Sequence, residues 1–278
     1  MTDIIKIKKW IDDADAIIIG AGAGLSDAAG IHYSGKKFET DFADFIKKYG
    51  FKDLYTSSFY PFKTEEERWA YWAKHIYFSY YERKHTKLYQ ELYKLVKDKD
   101  YFVITTNTDG QFINNDFDKN HIFEVQGSYS KLQCIIPCHN KLYYNEPQVK
   151  QMLKNIDDNL KIPTDLVPKC PVCGHNMSVN LRCDETFVED NNWEQSNLRY
   201  DDFIKNNSDK KVLLLEFGIG FNTPGIIRFP FEQMTYMHDN FRLIRFNKQY
   251  PLVPKSIKNR SISVSDDISE TIDLINKL

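Results

Sequence analysis

Four of the five cysteines fall in two close pairs, Cys134-x-x-x-Cys138 and Cys170-x-x-Cys173, with 31 residues between the pairs. Pairs at this spacing place four thiolates at the corners of one tetrahedron, the shape zinc prefers. Pro171 and Gly174 shape the second pair as a tight knuckle. Four thiolates leave no coordination position open, so a metal held by Cys134, Cys138, Cys170 and Cys173 is structural. The alternative is four unrelated buried cysteines. His139 and His175 stand near enough to substitute as ligands, and Cys183 lies outside the quartet as a free thiol.

A second chemistry belongs to Gly20-Ala21-Gly22-Ala23-Gly24-Leu25-Ser26, which follows directly on an apolar run. Glycines let backbone amides approach a pyrophosphate, and a helix start favours negative charge. The dehydrogenase fingerprint G-x-G-x-x-G is not met: its third glycine falls on Leu25 or on Asp27. A tight strand-to-helix turn without ligand stays open as the other reading. Polar residues follow two further apolar runs: Asn107 and Asp109 after Tyr101–Thr105, and Gln126 after Ile122–Val125. Each alone is a turn former or a helix cap. Together they are expected to meet near the glycine turn, because ligands of open parallel sheets bind beyond the carboxyl ends of the strands.

The elements that must position these residues are six short apolar runs, Ala16–Ile19, Tyr101–Thr105, Ile122–Val125, Val212–Glu216, Arg242–Phe246 and Ser261–Val264. Their length and β-branched content predict buried strands. Helical patterns lie between and around them, including Asp3 to Ala14 and a C-terminal stripe of Ile268, Ile272 and Ile275 that Asp266 or Asp267 caps. The alternation predicts an α/β fold with a mostly parallel sheet. Two segments break the rhythm. Residues 36–100, rich in Tyr, Phe, Trp and Lys, form a helical module with at least two amphipathic helices across Glu65 to Lys97. Residues 131–178 form a small cysteine-bearing module. The sheet domain takes 1–35, 101–130 and 179–278.

With 37 Lys and Arg against 39 Asp and Glu, the formal charge is −2. No global basic field exists to hold nucleic acid or an anionic membrane. No run approaches the ~20 apolar residues of a membrane helix. Met1 to Lys9 lacks the pattern of a secretory signal. The expectation is a cytoplasmic protein.

Taken in order, these pieces resemble the sirtuin family. Gly22-Ala23-Gly24-Leu25-Ser26 with Ala29-Gly30-Ile31 is similar to its Gly-Ala-Gly-x-Ser…Ser-Gly-Ile cofactor loop. Thr106-Asn107-Thr108-Asp109 resembles Gln-Asn-Ile-Asp, Gly218-Ile219-Gly220 resembles Gly-Thr-Ser, and Asn247 resembles the Ile-Asn nucleoside motif. The four cysteines resemble the family's zinc ribbon. The resemblance covers the chain from Ala16 onward and implies a Rossmann-like domain with a small zinc-and-helix part and NAD as co-substrate. It implies that Gly22, Ala23, Gly24, Ser26 and Asp27 face the pyrophosphate, and that Tyr33, Asn107, Asp109 and Gln126 line the nicotinamide and ribose region. Gly218, Ile219, Gly220 and Asn247 would hold the adenosine half.

The departures from the family pattern are chemical. Deacylating sirtuins carry His-Gly where this chain has Gln126-Gly127. A glutamine amide orients and hydrogen-bonds but accepts no proton near neutral pH. His32-Tyr33-Ser34-Gly35 replaces Pro-Asp-Phe-Arg, and Val188-Glu189-Asp190 stands where the acyl-peptide strip Phe-Gly-Glu is expected. Arg182 keeps the family's Arg-Pro position with Cys183 in place of the proline. This combination resembles the macrodomain-linked, or class M, sirtuins. That resemblance implies protein ADP-ribosylation, with Asn107, Gln126 and Arg182 as catalytic or substrate-binding groups; a surface ion pair is the other reading of Arg182. It also implies a lipoylated glycine-cleavage H-like carrier as protein substrate and a macrodomain hydrolase as functional partner. Competing readings are a deacylase, a non-catalytic NAD or ADP-ribose sensor, and a zinc-ribbon nucleic-acid binder.

Overall fold

β-Branched and aromatic runs that are apolar on both sides pair in parallel when helices cover both faces of the sheet, and this governs the larger part of the chain. The structure is a computed structural model describing residues 3–278; Met1 and Thr2, which the sheet domain and the N-terminal reading include, lie outside them. The strands are β1 (Ala16–Ala21), β2 (Asp100–Thr105), β3 (Ile122–Glu124), β4 (Gly127–Cys134), β5 (Tyr143–Tyr144), β6 (Met177–Leu181), β7 (Val212–Phe217), β8 (Phe241–Phe246) and β9 (Ser261–Val264). Two compact units share them: Met1–Gly30, His85–Gln126 and Asn191–Leu278 form one, Ile31–Lys84 and Gly127–Asp190 the other.

The first unit is a parallel sheet in the order β3-β2-β1-β7-β8-β9. Side chains alternate between its faces. Ile17, Ile19, Leu213, Leu215 and Ile244 enter one core with the helices Ile4–Asp13, Lys87–Val96 and Ile268–Ile275. Ala16, Ile18, Leu214 and Leu243 enter the other with Tyr200 and Phe231, from the helices Asn191–Asn206 and Arg228–Met237. The six runs read from sequence are the six strands of this sheet. Of the two residues read as caps of the C-terminal helix, Asp267 accepts from Glu270 N at 3.0 Å; Asp3 caps the first helix likewise, accepting from Lys6 N at 2.9 Å. Among the described residues no helix is long and apolar enough to cross a membrane.

The second unit is built on the antiparallel sheet β5-β4-β6. Its core joins Phe38, Phe42, Trp69 and Tyr71 of the helical segment to Leu132, Cys134, Val149 and Met177 of the cysteine segment. The helical and cysteine modules, drawn separately from sequence, therefore form one unit. The helix Lys87–Val96 leaves that unit for the other because Leu88, Tyr89, Leu92 and Val96 pack with the parallel sheet. β4 gives no apolar run because its buried polar side chains find partners within β4, on β6 and in the segment after it. Ser128 and Ser130 hydroxyls lie 3.0 Å apart, and Gln133 Oε1 accepts from Asn180 Nδ2 at 2.7 Å.

Candidate functional site at the strand ends

Two glycine turns meet at the carboxyl ends of β1 and β7. Gly218 has φ +61°. A Cβ there would lie 2.4 Å from Gly24 Cα, and one on Gly24 would lie 2.7 Å from Gly218 Cα. Only bare backbone permits this approach. The amides are engaged as well: Gly22 N donates to Phe217 O at 3.0 Å and Gly24 N to Gly218 O at 3.1 Å. These N–H groups are thus not free for a phosphate, as the sequence had suggested. The glycines bring the two loops together, and Ala23 and Asp27 remain exposed on the surface of the turn.

The polar residues after β2 are locked to the same turn. Asn107 Nδ2 donates to Gly22 O at 3.0 Å, and its backbone N donates to Thr105 Oγ1 at 3.0 Å. Ser26 Oγ donates to Asp109 Oδ2 at 2.5 Å, and Gln111 N donates to Asp109 Oδ1 at 3.1 Å. Asp109 is buried. Burial pushes its carboxyl above the ordinary carboxylate range, against the pull of the Ser26 hydroxyl and the backbone N–H groups. Gln126 is half-buried immediately beyond β3. Its approach is fixed by Val125, whose N donates to Thr105 O at 3.0 Å and whose O accepts from Trp193 Nε1 at 3.0 Å. Asn107, Asp109 and Gln126 thus all follow the ends of the adjoining strands β2 and β3, and the first two touch the glycine turn directly.

Beyond β8, Asn247 is 6% exposed and its side chain organises loops. Nδ2 donates to Ile219 O at 2.8 Å, while Oδ1 accepts from Gln249 N at 3.1 Å and Tyr250 N at 2.9 Å. Gly220 is exposed on the same loop. Sequence reasoning missed what lies beneath. Glu216 and Arg245 sit opposite one another in the β7–β8 register and make a two-pronged ion pair, 2.8 Å at each prong, with both side chains fully buried. Arg245 also reaches Glu232 at 2.8 Å, and Arg228 donates to the carbonyls of Tyr250 and Leu252 at 3.1 Å each. The signal was present: one acidic residue inside the otherwise apolar β7, and in β8 a second arginine, Arg245, on a buried position beside the exposed Arg242.

Tyr33 and Arg182 belong to the second unit. The Tyr33 hydroxyl lies 3.4 Å from that of Tyr129. Arg182 pairs with Glu189 and its guanidinium lies over the Phe187 ring at 4.3 Å, an exposed arrangement. Val188 N donates to Gln133 Oε1 and Val188 O accepts from Asn180 Nδ2, both at 3.0 Å. The backbone of Val188 is therefore already paired within the unit.

The same unit brings Cys134, Cys138, Cys170 and Cys173 together, with all four sulfurs within 4.8 Å of one another. Three of the separations are 3.3, 3.5 and 3.7 Å. Four Zn–S bonds of about 2.3 Å in a tetrahedron would set sulfurs about 3.8 Å apart. The donor set fits a structural zinc. His139 Nε2 stands 3.4 Å from Cys170 Sγ, outside the quartet, and Cys183 is exposed and apart from it.

A parallel sheet with paired glycine loops at its carboxyl edge, and a second unit bearing four clustered thiols, is the architecture of sirtuins. The chain aligns with a Sir2 homologue–NAD complex at TM-score 0.60 and 16% identity, over 98% of this chain and 92% of that one. It aligns with a mutant Sir2 homologue–ADP-ribose complex at TM-score 0.60 and 15% identity, over 100% and 96%. No protein-family model matches the chain. It is 39% identical over 267 residues to the protein ADP-ribosyltransferase of Staphylococcus aureus strain Mu50, covering 96% of this chain and 84% of the relative. It is also 31% identical over 289 residues to a probable bifunctional ADP-ribose hydrolase/ADP-ribosyltransferase of Fusarium oxysporum f. sp. cubense, covering 96% of this chain and 47% of the relative. The chain belongs to the family of sirtuin-type protein ADP-ribosyltransferases.

Proposed function

We propose that this cytoplasmic enzyme cleaves NAD at the nicotinamide–ribose bond and transfers the ADP-ribosyl group to a side chain of a partner protein. The observation that carries the reading is the polar set at the strand ends: Asn107, Asp109 and Ser26 are locked around the glycine turn, and Gln126, in the place of the deacylases' His-Gly histidine by resemblance, follows the adjoining strand β3. Bond cleavage leaves the electron pair on nicotinamide and positive charge on the ribose. Stabilising that charge needs oriented dipoles and a carboxylate, not a proton acceptor. NAD supplies the ADP-ribosyl group and a good leaving group. The protein supplies position: Gly22, Ala23, Gly24, Ser26 and Asp27 on the pyrophosphate side, Tyr33, Asn107, Asp109 and Gln126 toward the nicotinamide ribose, and Gly218, Ile219, Gly220 and Asn247 toward adenosine. Arg182 binds the protein substrate.

Two features favour transfer over deacylation. One is the amide at Gln126. The other is the Val188 backbone, whose N–H and C=O are occupied by Gln133 and Asn180 and so are not open to pair with an acyl-peptide strand. We take the acceptor to be a lipoylated glycine-cleavage H-like carrier and a macrodomain hydrolase to be the enzyme that reverses the mark. The fungal relative, whose name joins ADP-ribose hydrolase to ADP-ribosyltransferase, supports that pairing.

Incubating the chain with labelled NAD and the lipoylated carrier should label the carrier and release an equal amount of nicotinamide. Asn107→Ala should lower the rate by about 10²–10³-fold; full transfer by that variant removes Asn107 from its role. O-acyl-ADP-ribose from an acylated peptide would instead identify a deacylase, and tight NAD binding without nicotinamide release a sensor.

A further inference from the structure

Tyr89 lies on the helix Lys87–Val96 and is fully buried. Its ring is fixed edge-on against Phe112, centroids 4.9 Å apart. Its hydroxyl is one of the few buried polar atoms without a hydrogen-bond partner. A buried phenol left in this way destabilises the fold, so its placement calls for a reason. The groups it faces are Ser26 and Asn107, with the Asp109 carboxylate close by. Burial holds the phenol well above its ordinary range, so it keeps its proton and has it to donate.

The donors and acceptors around it narrow the choice of partner. Asn107 Nδ2 gives one of its two protons to Gly22 O, and of the two neighbours Ser26 is the one bonded to the Asp109 carboxylate. Ser26 has given its only proton to Asp109 Oδ2, and its oxygen still has lone pairs to accept with. We propose that Tyr89 is a positioning residue of the strand-end site, its O–H donating to Ser26 Oγ so that Tyr89, Ser26 and Asp109 form one line of hydrogen bonds in the ligand-bound enzyme. Each donor in such a line polarises the next. The line fixes the Asp109 carboxylate where positive charge develops on the ribose. Tyr89 touches neither substrate nor reacting atoms; it acts through Ser26. The inference rests on the reading of this site as one that cleaves NAD.

Tyr89→Phe keeps the ring and its packing against Phe112. The expected result is a fall of about tenfold in kcat for nicotinamide release, with the KM for NAD within about twofold and the thermal midpoint unchanged. Ser26→Ala with Tyr89→Phe should be no slower than Ser26→Ala alone, because both remove the same line. A role confined to packing would move the thermal midpoint and leave this coupling absent. A crystal structure of the intact chain with NAD gives a readout that needs no variant: Tyr89 Oη within about 3.0 Å of Ser26 Oγ supports the inference, and more than about 3.5 Å overturns it. Wild-type turnover with an unimpaired Tyr89→Phe variant overturns this inference alone. A wild-type chain that neither binds NAD nor releases nicotinamide overturns the functional reading and this inference together.

Discussion

In the parallel-sheet unit several charged and amide side chains are buried and tied by directional hydrogen bonds: Glu216 to Arg245, Asn247 to Ile219, Asn107 to Gly22, Asp109 to Ser26. In the unit of Ile31–Lys84 and Gly127–Asp190 the core is dominated by rings and sulfur, beside the mutually bonded Ser128, Ser130, Gln133 and Asn180. His75 stacks on Trp72 with centroids 5.0 Å apart, stands edge-on to Tyr71 at 5.5 Å, and shares its core with Phe38, Phe42, Cys134 and Cys170. Its protonation follows from its partner. The Tyr71 hydroxyl donates to Leu54 O at 3.0 Å, so at 2.9 Å His75 Nδ1 carries the proton and donates to the Tyr71 oxygen. Nε2 is left a bare acceptor without a partner. The difference teaches where each unit places its polarity. The sheet unit aims donors and a carboxylate at the strand ends, as a site for a charged ligand requires. The second unit keeps its buried histidine neutral and relies on rings and a thiol cluster for shape.

The comparison breaks most severely at the thiols. Stripping zinc from the quartet with a strong chelator should lower stability by on the order of 10 kcal/mol. Melting with and without chelator, together with metal content, measures this; Cys138→Ser should lose the metal and behave like the stripped protein. An unchanged melt would mean that the four sulfurs cluster without a structural ion. The next largest effect is at His75. Burial pulls its pKa from 6.5 down to about 3. A folded pKa below the unfolded one contributes stability that is present above pH 6.5 and lost as pH falls toward 3. The full loss is about 5 kcal/mol, of which about 3 kcal/mol is gone by pH 4. Urea unfolding of wild type and His75→Gln across this window isolates it: the difference between them should narrow as pH falls.

In the sheet unit the corresponding break is Glu216→Gln. It leaves Arg245 buried with one ionic partner, Glu232, in place of two. Removing one member of such a buried pair costs about 3–5 kcal/mol. Because the strand that carries Glu216 runs into the Gly218–Gly220 loop, NAD affinity should fall alongside stability. A variant with wild-type urea midpoint would show that Glu232 alone neutralises Arg245.

How much of this was legible in the sequence follows the same division. The six strands of the parallel sheet were visible because a strand buried on both faces is mostly apolar. The thiol quartet was visible because cysteine spacing is a local pattern. β4 was not visible: Ser128, Ser130 and Gln133 look like a polar loop until their partners across the fold are known. The Glu216–Arg245 pair and Tyr89 were hidden for a related reason, since 29 residues separate the ion pair in sequence and Tyr89 reads as one more apolar position on an amphipathic helix. At the glycine turn the strand-to-helix geometry was legible and the partners of its amides were not. Its amides at Gly22 and Gly24 serve the neighbouring loop, a fact that only the three-dimensional approach of Gly218 to Gly24 reveals.

The smallest effect on stability is expected where the effect on chemistry is large, at Asp109→Asn. Burial raises the Asp109 pKa, with Ser26 and backbone N–H groups opposing it only in part. A carboxyl whose folded pKa lies above its unfolded value favours the fold while protonated, and that contribution is lost as pH rises through the folded pKa. At pH 7 the charged carboxylate is therefore a burden on the fold. The amide has the same shape and carries no charge to bury; its oxygen can still accept from Gln111 N, and its NH2 takes the other position, where the Ser26 hydroxyl must turn to accept from it. Asp109→Asn should thus be at least as stable as wild type at pH 7, with its advantage shrinking as pH falls toward 4. Nicotinamide release should meanwhile drop by about 10²-fold. Urea midpoints at pH 4, 5.5 and 7, read beside the release rate, separate the two roles. A variant that is destabilised at pH 7 yet still releases nicotinamide would mean that this carboxylate serves the fold and not the ligand, and the contrast between the two units would lose its meaning.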